Sequence, residues 1–170
     1  MNKIKIKKIA ICALFTAVIT ACAWISVSTP FGVNLSFSLF GVCLVAFCLG
    51  VKGGMAATVT YILLGAAGLP VFSQFTGGIG VLFGASGGFV FGFLIVTVLC
   101  GIAKRSKTKA IRYLLAVTSV LICHTAGVLQ FHFVTNNGIG ASFLYASLPF
   151  LIKDILLVFL ASFVSNKIKL

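Results

Sequence analysis

The sequence predicts an all-α membrane protein with six transmembrane helices and both termini in the cytoplasm. Three observations carry this prediction: an apolar composition, six separate apolar stretches, and basic residues confined to alternate connections. Hydrophobic residues make up 61% of the chain and charged residues 8%, with a mean hydropathy of +1.23. Because so little polar surface cannot cover a water-soluble fold of 170 residues, the chain is expected in a lipid bilayer.

Six apolar stretches approach the roughly 20 residues that a helix needs to cross a bilayer. The first follows a basic N-terminal run and continues to about Thr29, which is longer than the roughly 7–15 residues of a secretory-signal core. It is therefore predicted as a retained transmembrane helix. The second and third almost touch at residues 50–54, which predicts a tight turn but also fits one broken segment. The stretches lie at about 8–29, 35–51, 54–69, 84–103, 112–133 and 145–166.

The basic residues predict the orientation of these helices. If both termini are cytoplasmic, twelve of the thirteen Lys and Arg residues fall on that side, and the connections after the first, third and fifth stretches contain none. By the positive-inside rule this pattern predicts one multi-pass domain over residues 1–170, and it explains the net charge of +12 without a nucleic-acid partner. The twelve are Lys3, Lys5, Lys7, Lys8, Lys52, Lys104, Arg105, Lys107, Lys109, Arg112, Lys167 and Lys169.

A glycine-rich segment at residues 65–88 differs from an ordinary connection. Phe72, Phe75 and Phe83 stand between its glycines. Glycine permits positive φ and close approach of the backbone, while the aromatic residues make the segment too apolar to be simply solvated. Because Pro70 fits a packed helix poorly, the segment is predicted as a lid or wall of a pocket. Close helix packing through small residues is the alternative.

Asp154 is the only acidic residue of the chain, and Lys153 beside it is the thirteenth basic residue. Both lie in the sixth stretch, about 12 Å below its outer end at roughly 1.5 Å per residue. Ionisable residues within a span are costly and predict a functional site. Because neighbouring helical residues point about 100° apart, the two side chains are predicted not to face each other but to meet different partners. A structural pair that joins helices or snorkels is the alternative.

Other polar groups lie in the fifth stretch. His124 is predicted to form a hydrogen bond between helices, and Gln130 to line a cavity. His124 and His132 are eight residues apart with no acid nearby, which does not favour a metal site. The six cysteines show no Cys-x-x-Cys spacing and are predicted as small core residues. No cofactor is expected.

Patterns for catalysis are missing from the sequence. One acid cannot form a carboxylate pair, and no Ser-His-Asp arrangement or His-Glu-x-x-His motif is visible. A phosphate-binding Gly-x-x-x-x-Gly-Lys-Ser/Thr motif is also missing, so an ATP-driven step has to come from other proteins. Three hypotheses follow: a substrate-capture protein, a membrane scaffold, and an intramembrane enzyme that uses Asp154 with a histidine.

Two motifs resemble those of a known family. Residues 61–73, Tyr-Ile-Leu-Leu-Gly-Ala-Ala-Gly-Leu-Pro-Val-Phe-Ser, continue into a second glycine-rich run at 77–93, and residues 149–154 read Pro-Phe-Leu-Ile-Lys-Asp. Together they resemble the BioY family of biotin transporters, which are substrate-binding S components of energy-coupling factor (ECF) transporters. The resemblance covers most of the chain. It implies a six-helix domain in the bacterial cytoplasmic membrane, with an outward-facing vitamin pocket capped by loops.

The resemblance also implies the residues that contact biotin, which is a transported ligand and not a cofactor. Leu157 stands where some members carry a lysine, and the glycine-rich segment has no arginine, so Lys153 is the nearby candidate cation for the ligand carboxylate. The candidate substrate-binding residues are Asn34, Ser38, Gln74, Phe75, Thr76, Gly77, Gly78, Phe83, Ser86, Phe89, Lys153 and Asp154.

Ala13, Ala17 and Ala21 repeat every four residues and form a stripe along the first helix. Such a stripe permits close contact with a helix of the same chain or of another protein. The resemblance favours docking onto a transmembrane coupling protein, with two ABC-type ATPases supplying the energy. An S component for another vitamin and a non-transporting membrane scaffold are the alternatives.

Overall fold

The computed structural model describes residues 3–30 and 33–168, and the described residues are mainly helical, as the predicted all-α class requires. A small antiparallel hairpin pairs β1 (Ser26–Val27) with β2 (Leu35–Ser36), and a 3-10 turn covers Ser73–Phe75. Lys169 and the side chains of Lys3 and Lys5 lie outside the described part of the chain. The helices are α1 (Lys3–Trp24), α2 (Ser38–Ala66), α3 (Ile79–Phe83), α4 (Gly87–Ala103), α5 (Lys109–Thr135), α6 (Ile139–Ala146) and α7 (Leu148–Ser165).

Four of the described helices are long and apolar enough to cross a membrane. They are α1 over Ile6–Trp24, and α2, α5 and α7 over their whole lengths, while α4 is a shorter apolar helix. Large apolar side chains such as Leu114, Ile152 and Phe163 are exposed on the surface of the bundle. In lipid such side chains need no cover, so the structure agrees with a membrane protein.

The chain reverses direction within α2, at Gly50. This residue has φ 71° and ψ −172°, a conformation that glycine adopts without steric cost. A Cβ placed on Gly54 would stand 3.2 Å from the Cα of Ala46, although eight residues of straight helix would separate them by about 12 Å. The two arms of α2, residues 38–49 and 51–66, are therefore antiparallel neighbours.

The number of helices differs from the predicted six, because the described residues form seven. The predicted second and third helices are the arms of one element, since a single glycine suffices to turn the chain. The short helices α3 and α6 form in segments that were predicted as connections. Ser147 separates α6 from α7, and Pro149 stands at the start of α7, where its fixed φ suits a first helical turn.

Glycine lets α4 pack closely against α2 and α5. A Cβ on Gly92 would stand 2.7 Å from the Sγ of Cys123, and one on Gly101 would stand 2.6 Å from the backbone nitrogen of Val51. Gly88 meets the backbone of α5 in the same way. Small-residue packing, the alternative for the glycine-rich segment, therefore applies where that segment enters α4.

One end of the bundle, here called the basic end, gathers described basic residues. Lys104 Nζ donates a hydrogen bond of 2.5 Å to the carbonyl oxygen of Cys48, just before the reversal of α2. Arg112, at the start of α5, donates to Asn166 Oδ1 at 3.1 Å, just past the end of α7. Lys52 follows the reversal itself. The segregation predicted from the sequence is thus a physical grouping in the fold.

Candidate ligand-binding cavity

A cavity that contains the Lys153–Asp154 pair, and is called the main cavity for that reason and not for its size, lies at the end of the bundle opposite the basic end. It is bounded by β2, the start and end of α2, the segment before α4, the start of α4 and the start of α7. Nine of its sixteen lining residues are aromatic or aliphatic and seven are polar or charged, a mixture that suits a small-molecule ligand with polar groups. The lining residues are Val33, Asn34, Ser36, Ser38, Leu39, Tyr61, Phe72, Ser73, Val81, Ser86, Phe89, Val90, Phe93, Phe150, Lys153 and Asp154.

Lys153 and Asp154 form an ion pair in this wall, with Nζ 2.8 Å from Oδ1. The prediction that they do not face each other is wrong, because the flexible four-carbon stem of lysine lets its ammonium group fold back to a neighbour. Lys153 Nζ also donates to the carbonyl oxygen of Ser36 and lies 5.7 Å from the ring centre of Phe37. Lys153 therefore has a partner of its own besides the carboxylate.

His124, on α5, forms a hydrogen bond with Asp154, on α7. Its Nε2 lies 3.1 Å from Asp154 Oδ2, and its Nδ1 lies 2.9 Å from Ser147 Oγ. His124 is 3% exposed and Asp154 6%, so each depends on these partners for hydrogen bonding. The predicted interhelical hydrogen bond of His124 is confirmed. Its partner lies 30 residues away and was not predicted.

The two oxygens of Asp154 are used differently. Oδ2 is held by His124, whereas Oδ1 is buried and accepts no hydrogen bond from the described residues. The contact of Oδ1 with Lys153 has the distance of an ion pair without the direction of a hydrogen bond. Because Oδ1 is already ion-paired with Lys153 and has almost no accessible surface, an N–H or O–H group of a ligand reaches it only when the ammonium group shifts.

Tyr61 and Phe72 form an aromatic part of the wall. Phe72 was predicted in a pocket wall, whereas Tyr61 and its contact with Phe72 were not. Their rings meet edge to face with centres 5.4 Å apart, and both side chains are almost fully buried. Phe72 fits because Gly65 has no side chain: a Cβ there would stand 2.1 Å from Phe72 Cζ. A glycine seven residues before an aromatic residue, inside the glycine-rich segment, was the available signal.

Half of the predicted substrate-binding residues line the main cavity and half do not. The predicted glycine-rich wall holds in part, through Phe72, Ser73, Val81 and Ser86. The predicted residues that line the cavity are Asn34, Ser38, Ser86, Phe89, Lys153 and Asp154. The predicted residues that lie elsewhere are Gln74, Phe75, Thr76, Gly77, Gly78 and Phe83.

Gln74 and Phe75 belong instead to a cap that joins two connections. Gln74 Nε2 donates to the carbonyl oxygen of Ser26 at 3.0 Å, and the Phe75 ring lies 5.0 Å from that of Trp24. Both residues have positive φ, 58° and 55°, and the chain turns sharply there. Phe75 and Phe83 are 62% and 70% exposed, so neither covers the described cavity.

The other three residues stabilise the segment itself. Thr76 Oγ1 donates to the carbonyl oxygen of Ser73 at 2.8 Å. Gly77 packs on the backbone of Leu69, where a Cβ would stand 2.2 Å from the carbonyl oxygen. Gly78, with φ 100°, donates its N–H to the carbonyl oxygen of Gly65 at 2.7 Å. These glycines therefore shape the backbone that carries the cavity wall.

Gln130 and His132 do not line the main cavity. Gln130 Nε2 donates to the carbonyl oxygens of Leu82 and Gly84 at 2.7 and 2.8 Å, which ties the glycine-rich segment to α5. His132 Nδ1 contacts the carbonyl oxygen of Asn137. Within the described residues there is no group of three or more His, Cys, Asp or Glu side chains placed to hold a metal ion.

Ala13, Ala17 and Ala21 are exposed on α1. The opposite side of α1 contacts α2, where Thr16 Oγ1 donates to the carbonyl oxygen of Ala57 at 3.2 Å and Ile19 lies beside Gly41. The alanine stripe thus faces away from the described chain. Of the two alternatives for its role, contact with a helix of the same chain does not occur among the described residues.

Comparison with known proteins places this fold and cavity in context. A family model described as the BioY family matches residues 1–170. A protein named biotin transporter BioY from Thermotoga maritima is 36% identical, covering 92% of each chain. The probable biotin transporter BioY of Pyrococcus horikoshii is 32% identical over 97% of this chain and 98% of that protein.

A solved structure shares the fold. It is described as the S-component for biotin from an ECF-type ABC transporter, and it superposes with a TM-score of 0.87 over 98% of this chain and 93% of that one, at 22% identity. The similarity in fold extends through the whole bundle. With the family model matched from end to end, this chain belongs to the BioY family, a family of transporters and not of enzymes.

Proposed function

We propose that this chain captures biotin from outside the cell, as the substrate-binding S component of an ECF transporter in the bacterial cytoplasmic membrane. The observation that carries the proposal is the Lys153–Asp154 pair in the cavity wall, which leaves one carboxylate oxygen without a hydrogen bond. The names of the relatives from Thermotoga maritima and Pyrococcus horikoshii, and the biotin S-component that shares the fold, support it.

The chemistry of biotin suits this wall. Its ureido group carries N–H donors beside a carbonyl acceptor, and Asp154 Oδ1 and Lys153 Nζ offer an acceptor and a donor 2.8 Å apart. A ligand group that meets both must therefore present a donor next to an acceptor. Phe89 and Phe150, which also line the cavity, provide apolar contact for the ring system.

The proposed topology is a single domain over residues 1–170 with six crossings and cytoplasmic termini. The arms of α2 count as two crossings, together with α1, α4, α5 and α7. The grouping of Lys52, Lys104 and Arg112 at one end supports an inner position for that end. The main cavity then faces outward, where the vitamin enters.

Isothermal titration of the purified, detergent-solubilised chain with biotin tests the proposal, with thiamine and riboflavin as controls. We expect tight binding of biotin alone. Binding of another vitamin instead would assign the chain to a different substrate. If folded protein binds none of the three, the capture role is lost and the scaffold alternative stands.

Uptake is proposed to need a transmembrane coupling protein, which docks on the exposed stripe at Ala13, Ala17 and Ala21. Two ABC-type ATPases supply the energy. Ala17→Leu should leave biotin binding unchanged but abolish uptake by cells that contain the coupling proteins, because a bulky side chain prevents close helix contact. Ala56→Leu, at an exposed alanine of α2, should retain both. Normal uptake by the Ala17 variant would remove the stripe from the docking surface, and loss of both binding and uptake would indicate damage to the fold.

A further inference from the structure

We propose that His124 is a positioning residue for ligand recognition. It holds Oδ2 of Asp154 and so fixes the direction in which the Lys153–Asp154 pair faces the main cavity. This inference rests on the proposed function, because it concerns how the biotin-binding carboxylate is oriented. His124 itself does not contact the ligand in this arrangement, since it is not among the residues that line the main cavity.

His124 stands between two spaces in the bundle. Its Nε2 reaches Asp154 from behind the wall of the main cavity, at 3.1 Å. Its ring also borders a second, more apolar cleft between α5, α6 and α7, which Leu129, Phe143 and Ser147 help to line. The carboxylate is therefore anchored from the side of the second cleft, away from the main cavity.

The partners of His124 assign its proton. An ionised carboxylate only accepts hydrogen bonds, so Nε2 carries the hydrogen that is donated to Asp154. Nδ1 then accepts from the hydroxyl group of Ser147, 2.9 Å away. The Ser147 side chain is fully buried, and this hydrogen bond fixes one tautomer of the imidazole.

Packing fixes the ring as well as its proton. The Phe89 ring meets the imidazole edge to face at 88°, with centres 5.5 Å apart. Phe89 in turn lies against Gly127, where a Cβ would stand 2.3 Å from its Cζ. Helices α4, α5 and α7 thus hold the imidazole together, and its rotation is restricted.

The carboxylate itself has no comparable restraint in its own bonds. The terminal torsion of aspartate is broad and roughly two-fold, so without His124 the carboxylate can rotate and its ion pair with Lys153 can shift. A ligand would then meet the acceptor and the donor in a different direction. The geometry therefore assigns to His124 the task of fixing that direction.

Three substitutions at position 124 test this assignment. His124→Gln can still place an amide N–H near the position of Nε2, whereas His124→Asn is too short to do so, and His124→Leu removes both polar atoms. We expect the biotin Kd to rise about tenfold or more for the Leu and Asn variants. The Gln variant should stay within about threefold of the unchanged protein, because it retains the hydrogen bond to Asp154.

The control is Thr125→Val, next along α5. The Thr125 hydroxyl group donates only within its own helix, to the carbonyl oxygen of Leu121 at 2.9 Å, so biotin binding should not change. Unfolding midpoints are measured for every variant. A structural role alone would lower stability in proportion to the loss of binding, whereas positioning separates the Gln and Asn variants in Kd at similar stability.

A double-mutant cycle gives the decisive readout. If His124 acts through Asp154, His124→Leu should change the Kd by less than about twofold in an Asp154→Asn background, since residues that act together are not additive. An undiminished effect of His124→Leu there would overturn the proposal, as would equal binding by the Leu variant and the unchanged protein. Failure of the unchanged protein to bind biotin is a different result, because it overturns the proposed function first.

Discussion

Two basic side chains sit inside the bundle near its opposite ends, and they are treated differently. Arg112, at the basic end, donates to Asn166 Oδ1 at 3.1 Å and to Ser165 Oγ at 3.2 Å, and its guanidinium group lies 4.9 Å from the ring centre of Phe47. Lys153, in the main cavity, is paired with Asp154. Arg112 is hydrogen-bonded to neutral acceptors, whereas Lys153 is ion-paired with the single acidic residue of the chain.

The difference distinguishes a basic residue that joins helices from one that lies at a ligand-binding site. The acceptors of Arg112 lie at the end of α7, where helix carbonyls and capping groups commonly attract a basic side chain. The carboxylate of Asp154 lies instead in the wall of the main cavity, where it pairs with Lys153. A costly buried acid in a cavity wall indicates a ligand, whereas Arg112 joins α5 to the end of α7.

Replacing both members of the cavity pair should give the largest effect. The double variant Lys153→Met, Asp154→Leu removes both charges together, so no uncompensated charge is left in the wall. Only the Nε2–H group of His124 loses its acceptor, so the fold should be retained with somewhat lower stability. Biotin binding should weaken by about 3 kcal/mol or more, which is over about 100-fold in Kd. Titration with biotin measures the loss, and the unfolding midpoint checks the fold.

The single substitution Asp154→Leu is the matched comparison. It leaves the half-buried Lys153 without its counter-charge, which is expected to destabilise the fold by about 3 kcal/mol. Stability should therefore recover in the double variant while binding does not. Biotin binding by the double variant at normal strength would mean that the pair only joins helices.

Replacement of the basic residue at the other end should reverse the pattern. Arg112→Met keeps an apolar stem but loses the hydrogen bonds to the end of α7, so the free energy of unfolding should fall by about 2 kcal/mol. The biotin Kd should stay unchanged, because Arg112 lies far from the main cavity. Lys107→Met, at an exposed residue of the connection before α5, should change neither quantity. Weakened biotin binding at unchanged stability would contradict the division between the two ends.

The sequence predicted the class and the polarity of the fold because both follow from composition. Apolar stretches and the grouping of basic residues are visible one residue at a time, and the basic end is a physical feature of the structure. The sequence left open whether the second and third predicted helices form one broken segment at Gly50, because glycine is compatible with a turn and with a helix. Such a choice depends on what packs beside the glycine, here Lys104.

The partners of Asp154 could not be predicted in the same way. A helix that is apolar on every side has no polar face to mark which side turns inward, so the sequence does not show that His124 meets Asp154. The position of Gln74 and Phe75 was not predicted for a related reason. Gln74 and Phe75 adopt positive φ without being glycine, which no local pattern signals, and the turn carries both away from the main cavity.

The smallest effect is expected at the aromatic part of the main-cavity wall, formed by Tyr61 and Phe72, because it carries no charge. In Gly65→Ala the new Cβ would stand 2.1 Å from Phe72 Cζ, so the ring must shift from its contact with Tyr61, which changes the shape of the main-cavity wall. Gly80→Ala is the matched control in the same segment, because a Cβ there meets nothing within 4 Å.

Biotin binding should weaken by about tenfold in the Gly65 variant, or about 1.4 kcal/mol, and should stay constant in the Gly80 variant. Both are measured by titration beside the unfolding midpoint. If Gly65→Ala lowers stability but leaves the Kd unchanged, Phe72 belongs to the packing of α2 and not to the ligand-binding surface. Recognition would then depend on the side of the cavity formed by α4 and α7, where the charged pair lies.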